Sequence, residues 1–157
     1  MARGARPTPT GFDRDFLSQR IKELDLRSVD AEDNGLHWGY VTSLRNGDLT
    51  CPGAKMLPAL AAFVQVTPRE LYAVTDEAVT VCHLRHFRGW TMNEAAKARG
   101  WPYTAYKGFE MGNPLTKEMS TSASWAKTAK LFGVPEHAMR RAWEASRKLL
   151  NGEPAGS

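Results

Sequence analysis

The sequence predicts an all-α protein made of two tandem helix-turn-helix domains, each of about five helices. Residues 91–112 follow the order helix, tight glycine turn, second short helix. Residues 35–47 repeat the pattern of residues 100–112 at a distance of 65 positions, with no gap between the bounding glycines. A polar loop, an apolar helix and a short Pro-containing helix start follow each copy. We therefore expect two diverged copies of one unit, joined by a short or helical connection.

The motif over residues 91–112 begins with a capping box. Thr91 is followed three residues later by Glu94, and together they satisfy amide donors at a helix start. Gly100 supplies the left-handed residue that ends this helix and turns the chain. A second helix is predicted over about 102–111, and Gly112 ends it.

The earlier copy places apolar residues in the same slots. Because these slots recur at helical spacing, they predict the inward face of the second helix in each copy. The matching pairs are Leu36 with Trp101, Val41 with Tyr106, and Leu44 with Phe109.

The remaining helices of the first domain follow from caps and apolar spacing. Asp13 or Asp15 can cap a first helix whose inward residues recur at helical intervals. Later helices are predicted from Ser28, over about 37–46, over about 52–64, and from the capping box Thr67–Glu70. We assign residues 13–75 to this domain. Residues 1–12 form a flexible basic arm in this prediction.

The second domain is assigned to residues 76–150. A first helix is predicted to begin at 75–77 and end at Gly89. After the motif, a Ser/Thr cluster leads into a helix carrying Trp125, Ala129 and Phe132, and a last helix runs from Val134-Pro135-Glu136 to about Leu150. Residues 151–157 are predicted to be a disordered tail.

Composition limits the class of protein. The chain has 157 residues, a net charge of +4 and two cysteines, Cys51 and Cys82, which form no CxxC pair. The sequence contains no run of about 18 apolar residues, so no membrane span is predicted. The N-terminus lacks the apolar segment of a secretory signal. The prediction is a reduced protein of the bacterial cytoplasm, associated with the nucleoid.

Charge is divided unevenly along the chain. Residues 1–77 hold 9 basic and 11 acidic residues, a net −2, whereas residues 78–157 hold 12 and 6, a net +6. Phosphate contacts supply most non-specific affinity for DNA. The second domain should therefore contribute more of that affinity.

The predicted outward faces of the two second helices carry the candidate base-contacting residues. A helix in the major groove uses side chains such as these to donate to base edges or to pack on the thymine methyl group. A solvated helix face is the alternative for each residue taken singly. The candidates are His37, Trp38, Gly39, Thr42 and Ser43 in the first domain, and Tyr103, Thr104, Lys107 and Gly108 in the second.

Other residues are candidates for contacts with the DNA backbone. Arg45, Asn46 and Lys55 lie near helix ends, where phosphates would pass. Arg3 and Arg6 in the arm can touch the backbone or the minor groove. A frayed terminus without such a role is the alternative for the arm.

A metal site is the alternative chemistry, suggested by Cys82, His83 and His86. A structural zinc needs four ligands, and no convincing further ligand lies nearby in the sequence. A half-buried thiol with surface histidines is the expectation. No nucleophile elbow, zinc-protease motif or phosphate loop occurs, so we expect no enzyme activity, metal, cofactor or small-molecule substrate.

Residues 91–112 and 35–72 resemble the Cro and lambda-repressor family of helix-turn-helix proteins. The resemblance implies that residues just after the turn, and one helical turn later, contact bases. In this sequence those positions are Trp38, Gly39, Thr42, Ser43, Tyr103, Thr104, Lys107 and Gly108. The first copy departs from the family because the helix before its turn, the second helix of the first domain, is about two residues shorter than usual.

The whole layout resembles the immunity repressors of temperate mycobacteriophages. It shares with them a basic N-terminus, two unlike DNA-binding domains and no self-cleaving peptidase domain. The resemblance implies binding as a monomer to asymmetric operator and stoperator sites that maintain lysogeny, without induction by self-cleavage.

The function predicted is a transcriptional repressor that binds double-stranded DNA in a sequence-specific manner, with two unlike helices on one asymmetric site. The alternative is a phage or prophage regulator with one DNA-binding unit and one protein-interaction unit, whose partner would be of the polymerase or antitoxin type. The first domain, with its acidic second helix, is the better candidate for that interaction role.

Overall fold

The computed structural model describes residues 8–153, and in that range the fold is all-helical. Over these described residues it has nine α-helices, two short 3-10 helices and, in place of a strand, a single antiparallel bridge between Phe12 and Tyr72. None of these helices is long and apolar enough to cross a membrane. The all-α prediction is confirmed. The chain divides into two compact units, Thr10–Ala73 and a second that begins at Val74.

The first unit consists of four α-helices and a 3-10 helix. In chain order they are α1 (Arg14–Glu23), α2 (Ser28–Asp33), α3 (Trp38–Asn46), α4 (Leu57–Phe63) and a 3-10 helix at Pro68–Leu71. Asp13 caps α1 by accepting from the Phe16 amide at 2.9 Å. Thr67 and Glu70 form the predicted capping box before the 3-10 helix.

The core of the first unit is built from the inward residues of these helices. Leu17, Val41, Leu44, Leu57 and Leu60 are completely buried. Because every helix here is short, its stability depends on this shared packing more than on its own propensity.

Two boundaries of the first unit differ from the prediction. The fourth helix begins at Leu57 and not at residue 52, because residues 51–53 are irregular and residues 54–56 form a turn before it. The arm was predicted to extend to residue 12, but Gly11 accepts from the Ala73 amide at 2.7 Å and Phe12 pairs with Tyr72. Residues 11–12 are therefore held by the end of the same unit.

The second unit begins with a 3-10 turn at Asp76–Ala78 and continues with five α-helices. These are α5 (Val81–Phe87), α6 (Met92–Arg99), α7 (Tyr103–Met111), α8 (Ser122–Phe132) and α9 (Glu136–Leu150). The predicted helix from 75–77 to 89 is wrong in its first turn, because Thr80 caps α5 separately. Thr91 caps α6 with the predicted Glu94 box, and Thr121 caps α8.

Aromatic side chains dominate the core of the second unit. Tyr106, Phe109, Trp125 and Phe132 are buried, and Met139 of α9 is completely buried beside them. The Phe109 ring lies 6.1 Å from the ring of Trp125 and contacts it at a tilt. Large rings of this kind supply much of the apolar area that a small domain can bury.

Candidate nucleic-acid interface

The two copies of the motif have the same backbone course. Helix α3 spans residues 38–46 and α7 spans residues 103–111, so their bounds differ by the same 65 positions as their sequences. Gly35 and Gly100 precede them with φ of +75° and +78°, and Gly47 and Gly112 follow with φ of +87° and +84°. Residues with a side chain rarely adopt these left-handed φ values, so the backbone conformation favours glycine at all four positions.

The inward faces of α3 and α7 correspond in burial as well. Val41 and Leu44 are completely buried, and their counterparts Tyr106 and Phe109 are 0% and 2% exposed. Leu36 is also buried, whereas its counterpart Trp101 is half-buried and lies edge-on to the Phe109 ring at 5.4 Å. The predicted inward face is confirmed in both copies.

The predicted contact residues of α3 lie on or beside its outward surface. His37, Gly39 and Thr42 are exposed, and Trp38 and Ser43 are half-buried. The Trp38 ring lies edge-on to the buried Phe63 of α4, with centroids 6.4 Å apart. Trp38 thus packs on the core through one edge and leaves part of its ring at the surface.

The predicted contact residues of α7 lie at its start and one turn later. Tyr103 is 39% exposed and Thr104 is also exposed, whereas Lys107 and Gly108 are half-buried. Lys107 makes no hydrogen bond or ion pair with any residue in the range 8–153, so its ammonium group is available to a ligand.

The predicted phosphate contacts of the first unit are placed differently from one another. Arg45 is half-buried, and its Nε donates to Ser18 Oγ at 3.1 Å, which directs it toward α1. Asn46 is exposed and its Oδ1 accepts from the Asp48 amide at 3.0 Å. Lys55 is exposed before α4. Arg3 and Arg6 lie outside the described residues.

A buried ion pair that was not predicted from the sequence holds α7 from its inner side. Glu110 is 2% exposed and Arg85 of α5 is 5% exposed. Arg85 donates to both Glu110 oxygens, from Nε at 2.5 Å and from Nη2 at 3.0 Å, and from Nη1 to the Trp90 carbonyl at 2.8 Å. Tyr106 donates to Glu110 Oε1 at 2.8 Å.

In this cluster Arg85 stays charged and Tyr106 keeps its proton. Burial lowers the pKa of Arg85, but the hydrogen bonds and charge of Glu110 outweigh it and the pKa is raised. Burial, together with the nearby Glu110 charge, raises the pKa of Tyr106 well above its usual value, so its hydroxyl stays protonated and donates. The cluster connects α5, the loop before α6, and α7.

A second arginine anchors α6 to α8. Arg99 is 7% exposed, and it donates from Nε to Thr128 Oγ1 at 2.8 Å and from Nη2 to Ser124 Oγ at 2.9 Å. Its guanidinium also lies 4.3 Å from the centroid of the Trp101 ring. The helix before the turn and the turn itself are therefore fixed to the same core as α7.

The histidines near Cys82 are buried, which corrects the prediction of surface histidines and a half-buried thiol. Cys82, His83 and His86 are 4%, 1% and 7% exposed, because α5 runs through the middle of the second unit and is covered on nearly every side. Within the described residues no group of three metal-ligating side chains forms.

The charge difference between the units remains when the structural boundary is used. Residues 10–73 hold 7 basic and 9 acidic side chains, a net −2, and residues 74–153 hold 12 and 8, a net +4. In the second unit the buried Arg85 and Arg99 are committed to internal partners. Lysines make up much of its exposed positive charge.

Comparisons with protein-family models, with curated proteins and with solved structures find no match to this chain.

Proposed function

We propose that this protein binds double-stranded DNA in a sequence-specific manner through α3 and α7, and acts as a transcriptional repressor of the phage immunity type. The observation that carries the proposal is the in-register repeat. Two helices of equal length follow equivalent glycine turns, and exposed residues lie at or beside the start of both. The residues that the sequence nominates for base contact lie in these two places.

The dimensions of the motif support insertion of its second helix into the major groove of DNA. An α-helix with its side chains fits the major groove of B-DNA, and in helix-turn-helix proteins the N-terminal residues of the second helix reach the base edges. His37 and Gly39 are exposed at the start of α3, as Tyr103 and Thr104 are at the start of α7. Glu110 anchors α7 from its inner side near the end of the helix, so this anchor does not cover the exposed residues at the start of α7.

The chemistry of the two outward faces differs, so the proposed site is asymmetric. Gly39 corresponds to Thr104, and Thr42 corresponds to Lys107. Two unlike half-sites on one chain would span about one helical turn, roughly 10–14 base pairs. Because the second contact is then intramolecular, one chain is sufficient for one site.

Selection of bound duplexes from a random pool, with the full chain at near-physiological salt, tests the proposal. An asymmetric motif about one turn long, bound by one chain, is the expected result. A palindrome would overturn binding by a monomer with two unlike units. A pool without enrichment would overturn sequence-specific binding itself.

Three charge-matched variants assign the selected site to the two helices. Thr42→Glu and Thr104→Glu place a carboxylate on exposed outward positions, where repulsion from DNA should lower affinity at least about tenfold. Ala62→Glu adds the same charge on an exposed position of α4 and should have a much smaller effect. Equal losses in all three variants would indicate general charge repulsion and not contact through α3 and α7.

The acidic surface of α2 favours a second candidate function for the first unit, that of a protein-interaction module. Asp30, Glu32 and Asp33 lie on this helix, and Val29 is 57% exposed beside them. In that case Thr42→Glu would leave the selected motif and the DNA footprint unchanged, whereas Thr104→Glu would abolish both. A Val29→Ser variant would then weaken partner binding without changing DNA binding.

A further inference from the structure

The outward surface of α3 is almost free of charge. It consists of His37, Trp38, Gly39, Thr42 and Ser43, of which only the histidine can ionise. Arg45, the basic residue of the same helix, is turned toward Ser18 of α1. A DNA contact at this surface must therefore depend on hydroxyl and apolar groups more than on charge.

Gly39 leaves a gap in that surface which the backbone does not require. Its φ lies outside the left-handed region, and a Cβ atom built on it would meet nothing within 4 Å beyond its two chain neighbours and the backbone of its own helix. Where the native backbone does not need glycine, it lowers stability relative to alanine because it gives the unfolded chain more conformational freedom. The equivalent position in α7 is occupied by Thr104, which shows that this fold accepts a side chain there.

Apolar groups lie on both sides of Gly39 along α3. Trp38 precedes it, with its ring held edge-on against the buried Phe63. Thr42, which carries a methyl group, is exposed and lies three residues after Gly39 on the same helix face. The gap is thus open to a small apolar group that approaches the helix backbone closely.

The surrounding charges disfavour strong attraction of the phosphate backbone. The first unit has a net charge of −2, and three of its acidic residues lie on α2, the helix that precedes the turn into α3. Phosphate attraction is the main source of non-specific affinity. A unit that lacks it can still discriminate between bases through short-range contacts in the groove.

In the major groove, the apolar group that distinguishes one base from the others is the 5-methyl of thymine. We propose that the first unit recognises thymine by this methyl group, received at Gly39 between Trp38 and Thr42. The inference rests on the proposed DNA-binding function and specifies the chemistry of one half of the site.

Replacing each thymine of the selected site by deoxyuridine, one at a time, tests the inference with the full wild-type chain. Loss of one buried methyl should reduce affinity about fourfold, at one or two positions in the half bound by α3. That half is identified as the one whose preference changes in Thr42→Glu and not in Thr104→Glu. In a variant of the site that has cytosine at that position, changing the cytosine to 5-methylcytosine should raise affinity by a similar factor.

Gly39→Ala provides a variant that separates folding from recognition. The added methyl group meets nothing within 4 Å beyond the chain neighbours and the backbone of α3, so it should raise the melting temperature of the protein or leave it unchanged. It would fill the gap, lower affinity for the thymine site and remove the difference between thymine and uracil there. Gly53→Ala, in the segment before α4, is the matched control, because its φ is also not positive and its Cβ would also meet nothing within 4 Å beyond its chain neighbours. Gly53 is not among the predicted contact residues, so this variant should leave affinity and the thymine–uracil difference unchanged.

The outcomes separate this inference from the proposed function. Sequence-specific binding that is insensitive to every uracil substitution would overturn methyl recognition and leave the DNA-binding function standing. Unchanged affinity and discrimination in Gly39→Ala would also overturn it. Failure of the wild-type chain to select any DNA sequence would overturn the proposed function, and the inference with it.

Discussion

Helices α3 and α7 have the same backbone bounds and turns, but they are attached to their units by different chemistry. At one equivalent position, Arg45 of α3 makes a single 3.1 Å hydrogen bond to Ser18, and the arginine is only half-buried. The counterpart in α7 is Glu110, which is buried and bonded by both Arg85 and Tyr106. In both units this position connects to the unit's first α-helix, α1 or α5. The two copies share a connection to the first α-helix at this position but use different residues to make it.

The glycines that end α3 and α7 differ in the same way. Gly47 and Gly112 have nearly equal φ, +87° and +84°. A Cβ on Gly47 would meet only the end of the flexible Arg14 side chain, whereas one on Gly112 would overlap the backbone of Ser146 and Arg147 in α9. The second unit thus holds α7 by close backbone packing as well as by buried charge, and its geometry should tolerate less change.

The largest expected effect is the loss of the buried carboxylate in Glu110→Ala. Removing one partner of a buried ion pair leaves the other charge uncompensated, which costs about 3–5 kcal/mol of unfolding free energy. The equivalent change in α3, Arg45→Ala, removes a half-buried hydrogen bond and should cost about 1 kcal/mol. Urea unfolding measures both losses, and hydrogen exchange assigns each to its unit.

A double replacement tests whether charge is the cause. Arg85→Met combined with Glu110→Leu removes both charges together, and such exchanges are often close to neutral. We therefore expect the double variant to be more stable than Glu110→Ala. If it is equally unstable, the loss arises from packing and hydrogen bonds to Trp90 and Tyr106, and the ion pair is not what distinguishes α7 from α3.

The next largest effect is expected at the glycine that ends α7. Gly112→Ala introduces left-handed strain and an overlap with the α9 backbone, together worth about 2–4 kcal/mol. Gly47→Ala introduces the same strain, but Arg14 can move aside, so the cost should be about 1–2 kcal/mol. Thermal unfolding of the two variants provides the measurement. Equal losses would show that strain alone decides both positions.

These contrasts show which parts of the molecule the sequence could predict. The periodic apolar slots and the positive-φ glycines recur at fixed spacing, and both are local signals that survive divergence. Helix α7, the turn at Gly100 and the capping box at Thr91 were predicted on that basis and are confirmed.

The buried pair between Arg85 and Glu110 could not be predicted, because it joins residues 25 positions apart whose charges suggest surface positions. The burial of His83 and His86 is a second failure of the same kind. Helix α5 carries three polar residues among its seven yet is central in the unit, and only its packing against α7 and α9 shows this. The residues proposed for DNA contact could be identified from the repeat and its inward slots alone.

A pH-dependent loss of stability should separate the units further. Burial, with the nearby Arg85 and His83 charges, lowers the pKa of His86 from 6.5 to about 4. As pH falls between these values the unfolded chain takes up a proton that the folded chain does not, so stability decreases. The second unit should lose about 2–3 kcal/mol between pH 6.5 and pH 4.

His86→Leu should reduce that slope, since His86 Nδ1 has no hydrogen-bond partner among the residues described and its loss breaks no bond there. His37 is the one histidine of the first unit and is exposed, so His37→Leu serves as the control and should leave the slope unchanged. Denaturant unfolding at several pH values measures both. An unaltered slope in His86→Leu would mean that carboxylates, and not this histidine, set the acid sensitivity.

The remaining effects concern DNA binding and not stability, and they are expected at the equivalent outward positions Lys107 and Thr42. Lys107→Ala should weaken DNA binding by about 1–3 kcal/mol and relax the preference at one base pair, because its ammonium group is available to a guanine edge. Thr42→Ala removes a hydroxyl and one methyl from an uncharged surface and should cost less than about 1 kcal/mol.

Titrations of the selected site and its single-base variants at two salt concentrations distinguish base contact from phosphate contact. A uniform loss across sequences in Lys107→Ala, with the salt dependence reduced by about one ion, would place Lys107 on a phosphate. Base discrimination in the second half of the site would then rest on Tyr103 and Thr104, and the two helices would resemble each other in chemistry more than their charges indicate.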